Sequence, residues 1–63
     1  MKNVQVTLED NENTLVIKVD LTKSLGPSSS GKTMLVATSE GNQPIQRVSA
    51  DSVMLGLNVY KRR

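Results

Sequence analysis

The sequence predicts an all-β protein: about four antiparallel strands, an N-terminal hairpin plus two more, in a small sheet or open barrel. Three observations predict it. Apolar residues recur at every second position in short runs, the period of a strand with one face buried. Clusters of Asp, Asn, Gly, Ser and Pro separate those runs at short intervals. No segment carries a sustained helical period.

The elements follow in chain order. Over residues 3–9, Val4, Val6 and Leu8 alternate with Asn3, Gln5, Thr7 and Glu9. Asp10-Asn11-Glu12-Asn13 then gathers residues that accept backbone hydrogen bonds and tolerate left-handed conformations. A second run, residues 14–21, sets Leu15, Ile17, Val19 and Leu21 on one face, so the two runs read as a β-hairpin. On the outer face of the second run, Asp20 beside Lys18 suggests a cross-strand pair. Residues 22–31 are turn formers around a single leucine and read as a flexible loop. Residues 32–39 are short, apolar and β-branched, and Gly41 and Pro44 close them, which favours a strand. Residues 40–50 connect, with Ile45 and Val48 tucked beneath. In the last element Val53, Leu55, Leu57 and Val59 alternate with Met54, Gly56, Asn58 and Tyr60. A helix over 50–56 capped by Ser49 is the competing reading; Gly56 and the strict alternation argue against it.

With 63 residues, the chain reads as one small β domain over 1–63, carrying the loop 22–31 and a basic tail at 61–63. A chain this short buries only about 60% of the surface it exposes when unfolded. It has no Cys and no His, hence no disulfide framework and no ordinary zinc site. Tyr60 is its one aromatic residue. A sheet with a single apolar face needs a second layer. With no helix to supply that layer, a second copy is the simplest source, and a homo-oligomer, a dimer first, is expected. An unpaired sheet edge offers another route to the same end. No stretch approaches the ~18 apolar residues of a membrane-crossing helix, and no apolar run near the N-terminus precedes a cleavage site. A cytoplasmic protein without membrane contact is the expectation.

Residues 26–33, Gly26-Pro27-Ser28-Ser29-Ser30-Gly31-Lys32-Thr33, fit G-x-x-x-x-G-K-[ST] and resemble the phosphate loop of P-loop NTPases. The resemblance covers eight residues; it implies that Lys32 meets phosphates and Thr33 a magnesium ion. The surroundings depart from that family. A gap separates the preceding strand from Gly26, a strand rather than a helix follows Thr33, and only 30 residues remain. A βαβ unit alone takes about 30 or more. A weaker reading keeps Gly26, Ser28, Ser29, Ser30, Gly31, Lys32 and Thr33 as a candidate anion-binding loop, since consecutive N–H groups beside a lysine can hold an anion. Otherwise the stretch is a Ser-rich connector.

The net charge of +2 comes from the C-terminus: Lys61, Arg62 and Arg63 supply three of eight positive charges, and without them five face six negative ones. Acid–base chemistry would fall to six carboxylates or to lysine. Glu9, Asp10 and Glu12 sit at a hairpin tip, where solvent keeps carboxylates ordinary, so neither an enzyme nor a cofactor or metal is expected. The expected function is a non-enzymatic binding module that contacts nucleic-acid backbone through Lys32, Arg47, Lys61, Arg62 and Arg63. The lack of Phe and Trp argues against single-strand binders, whose bases stack on aromatic rings. Duplex binding, or a β-ribbon in a groove, stays open. The alternative is a structural or protein-interaction unit working as a homo-oligomer.

Overall fold

A computed structural model of the chain describes residues 1–48 and 50–62. Ser49, named as a helix cap, and Arg63, named as a phosphate contact, lie outside the described residues. The protein is all-β. Its strands are β1 (Gln5–Glu9), β2 (Thr14–Lys18), β3 (Gly26–Pro27), β4 (Thr33–Thr38), β5 (Gln43–Ile45), β6 (Val53–Leu55) and β7 (Asn58–Arg62). They form three small antiparallel sheets, β1-β2, β3-β4-β7 and β5-β6, not closed into a barrel. No helix occurs among the described residues, so the segment 50–56 contributes strand.

The N-terminal hairpin forms as its alternation requires. Val6 lies opposite Ile17 and Leu8 opposite Leu15, so all four share one face. At its tip the Asn13 amide donates to the Asp10 carbonyl at 2.9 Å. Asn11 and Glu12 between them have φ of 54° and 68°, the signs of the type I′ turn whose twist matches a hairpin. Asn tolerates that conformation and Glu does not gain from it. The Glu12 carboxylate offsets the cost by accepting from the Val48 amide at 2.8 Å, tying the tip to the segment before β6.

The second strand ends at Lys18, three residues before the alternation runs out. The Asp20 carboxylate accepts from the Thr22 amide at 2.9 Å and the Thr22 hydroxyl at 2.6 Å, a local turn that competes with the ladder. The expected pair with Lys18 is replaced by this turn. Among the described residues the one ion pair joins the Met1 ammonium to Glu40 at 3.3 Å.

The three-stranded sheet holds the densest packing. β4 is its central strand, and Val36 and Ala37 are 2% and 0% exposed. The β4–β7 register runs Leu35 to Tyr60 and then Ala37 to Val59, leaving Val36 as the extra residue of a bulge. The ladder cannot serve its carbonyl, and Asn3 Nδ2 donates to it at 2.9 Å. The same Nδ2 reaches the Asp20 carbonyl at 2.9 Å. One side chain therefore fastens the exit of the hairpin to the centre of the sheet. Lys2 and Thr38 add a backbone bridge beside it.

The loop 22–31 contains a strand the sequence hid: Gly26 and Pro27 pair with Leu35 and Met34. The long last run splits instead of continuing. β6 pairs with β5, and β7 turns to β4 after the break at Gly56 and Leu57. At that break the buried Ser39 prolongs the ladder, its amide donating to the Leu57 carbonyl and its Oγ accepting from the Leu57 amide, both at 2.9 Å.

Candidate functional site

The site is built at the far end of the three-stranded sheet. β3 and β4 are the arms of a hairpin whose tip is Ser28–Thr33. The Ser28 amide donates to the Thr33 carbonyl and the Gly31 amide to the Ser28 carbonyl, each at 2.9 Å. Gly31 has φ of 74°, a left-handed turn position that suits glycine. The hydroxyls are used within the tip: Thr33 Oγ1 donates to Ser28 Oγ at 2.8 Å, Ser28 and Ser30 Oγ lie 3.1 Å apart, and the Lys32 amide donates to Ser30 Oγ at 3.3 Å. The amides of Ser28, Gly31 and Lys32 are thus turned to the loop itself. Thr33 opens β4, where the phosphate loop of an NTPase opens a helix. Ser29, Ser30, Gly31 and Lys32 are the exposed residues of the tip, and Lys32 is its one cation.

Beside the tip lies the C-terminal strand. Thr33 is opposite Arg62, Met34 opposite Lys61 and Leu35 opposite Tyr60. The fold brings Lys32, Lys61 and Arg62 to one end of one sheet, all three exposed. No acidic residue occurs from Leu21 to Ser39 or from Ser52 onward, so both chain segments that build this end lack acidic side chains. Strand alternation puts Arg62 on the face of Thr33 and Tyr60, and Lys61 on the opposite face with Met34. Since β7 is the outer strand, the long Lys61 stem can reach around the edge.

Arg47 is elsewhere. Its guanidinium donates to Asn13 Oδ1 at 3.3 Å and to the Asp51 carbonyl at 3.5 Å, against the turn that carries Asp10 and Glu12. Its Nε is buried without a hydrogen bond. Neither partner belongs to β4 or β7.

Two clefts accompany the sheets. One, of about 520 Å³, lies along Asn3, Gln5, Lys18, Asp20 and Lys23. It holds one carboxylate, and that carboxylate is engaged by Thr22. The Thr22 hydroxyl and amide hold Asp20 below its ordinary pKa of 3.8. The other, of about 380 Å³, runs between the hairpin's apolar face and Pro44 and Ile45. Among the described residues no three acidic side chains gather as metal ligands would.

Reasoning on charge alone passed over Tyr60. The signal was present: 58, 60 and 62 fall on one face of a strand, so Tyr60 and Arg62 share that face two residues apart. Asn3, the connecting residue, gave no such signal. Compared with known protein families, with curated proteins and with solved structures, the chain matches none.

Proposed function

We propose that this protein is a non-enzymatic binding module that contacts nucleic-acid backbone through Lys32, Lys61 and Arg62, with Arg63 the next cation in the sequence. The observation that carries the reading is the register of β4 and β7, which sets Lys61 and Arg62 beside the turn that carries Lys32, on two segments without an acidic side chain. Cations without acidic neighbours keep their full attraction for phosphate, and each phosphate contact releases counterions. Arg47 drops out of the contact set, because its guanidinium is engaged at the other turn.

The test is the salt dependence of binding to a labelled duplex, followed by fluorescence anisotropy. Two or three phosphate contacts give a slope of log affinity against log salt of about −2 to −3, so a fourfold rise in salt weakens binding on the order of 30-fold. Arg62→Gln lowers the slope by about one, and Arg47→Gln leaves it unchanged. Affinity indifferent to salt overturns the reading.

A second reading, self-association, is favoured by the shape. The Cα radius of gyration is 13.5 Å, against about 11 Å for a compact chain of this length. The surface of 4639 Å² exceeds the about 4,000 Å² usual for this mass. The excess accompanies an open apolar groove along Val6, Leu8, Leu15 and Ile45, which a second copy of the chain would cover.

A further inference from the structure

Tyr60 is the chain's single aromatic residue, and the fold does not spend it on the core. An aromatic side chain typically buries 150–250 Å², and among the described residues the buried apolar ones are Val36, Ala37, Ile45 and Leu55. Even so, Tyr60 lies 52% exposed on the three-stranded sheet.

Its neighbours give the exposure a direction. Across the sheet, Gly26, Leu35 and Tyr60 form one row on this face. No atom stands within 4 Å of where a Cβ on Gly26 would be, so that side of the row is open. The next row on the same face ends in Thr33 and Arg62. The two rows are two residues apart along β7, roughly 7 Å. One nucleotide can therefore rest its base on the ring and set its phosphate against the guanidinium. In a duplex the base faces are covered by their neighbours; an unpaired base has a free π-face.

We propose that Tyr60 is a stacking platform for an unpaired base, and that the preferred ligand of this face is single-stranded nucleic acid. This rests on the backbone-contact reading above and adds the ligand class to it. It also reverses the expectation from composition: one ring counts when it stands beside the phosphate-binding arginine.

The experiment exploits the absence of any other aromatic residue, since intrinsic tyrosine emission reports on Tyr60 alone. The protein is titrated at low salt with oligo(dT), with oligo(rU) and with a mixed-sequence duplex. Stacking quenches the emission with a single strand, and single strands bind more tightly than duplex; the tighter of the two identifies DNA or RNA as the source of the base. By anisotropy of labelled oligonucleotides, Tyr60→Leu weakens single-strand binding on the order of tenfold and leaves duplex binding unchanged, and Tyr60→Phe keeps the wild-type preference. Folding of both variants is checked by circular dichroism, and the phenylalanine variant alone decides if the leucine variant unfolds: a lost preference there overturns the stacking role. Duplex binding equal to single-strand binding, or unquenched emission, overturns this inference and leaves the backbone reading standing. Binding of neither at low salt overturns both.

Discussion

Replacing Asn3 by alanine removes the side chain that joins the hairpin to the central sheet. Two hydrogen bonds at 2.9 Å go, to the carbonyls of Val36 and Asp20, with a weaker one at 3.4 Å from the Asp20 amide. Each good bond contributes about 0.5–1.5 kcal/mol net, and the bulged carbonyl of Val36 has no ladder partner to fall back on. Asn3 also has φ of 57°, a conformation that costs alanine roughly 1 kcal/mol and asparagine less. The sum is about 2–4 kcal/mol. Whole-chain stability at this length is only about 3–9 kcal/mol, so the loss is severe. For so small a domain each kcal/mol shifts Tm by roughly 7 °C, and Asn3→Ala should melt about 15–30 °C early by circular dichroism. Asn3→Gly loses the same bonds without the backbone cost and should recover about 1 kcal/mol of the deficit. An alanine variant within about 0.5 kcal/mol of wild type, the range of an ordinary surface substitution, would refute the connecting role. Equal melting of the alanine and glycine variants would refute the backbone part.

The other predictions concern acid stability and assembly. Asp20 has its folded pKa lowered by the Thr22 hydroxyl and amide, so its contribution to stability is present above 3.8 and is lost as the pH falls through the lower folded value. Urea midpoints from neutral pH downward should therefore drop in that acid window for the wild type and less for Asp20→Asn; parallel profiles would sink the assignment. Ile17 shares a face with Leu8 and Leu15 and is 37% exposed. If a second copy covers that face, Ile17→Thr keeps the strand and weakens the dimer on the order of tenfold in sedimentation equilibrium. A protein monomeric at every concentration removes the self-association reading.

Alternation made the strands legible because it is local. Val6, Leu8, Leu15 and Ile17 announce a one-sided hairpin, and Asp10 to Asn13 announce its turn, through residues that touch in the folded chain. Alternation misled where a hydrogen bond intervened. Val19 and Leu21 continue the pattern of β2, but the Asp20–Thr22 turn takes the backbone away. Leu57 continues the pattern of the last run, yet Ser39 holds it at the break between β6 and β7. Gly26 and Pro27 read as loop, because what makes them a strand is the free edge of β4.

By itself the sequence determined that the chain is all-β, where its N-terminal hairpin and the strand after the Ser-rich loop fall, and that its C-terminus is basic. Those follow from side-chain period and turn chemistry over a few residues. Only the tertiary structure decided that Arg62 stands beside Thr33 near Lys32, that Arg47 is held at another turn, and that Asn3 closes the bulge at Val36. These are matters of register between segments far apart in the chain. A slip of one residue in a strand turns every side chain to the opposite face, and nothing in a local pattern fixes which register two distant strands will share.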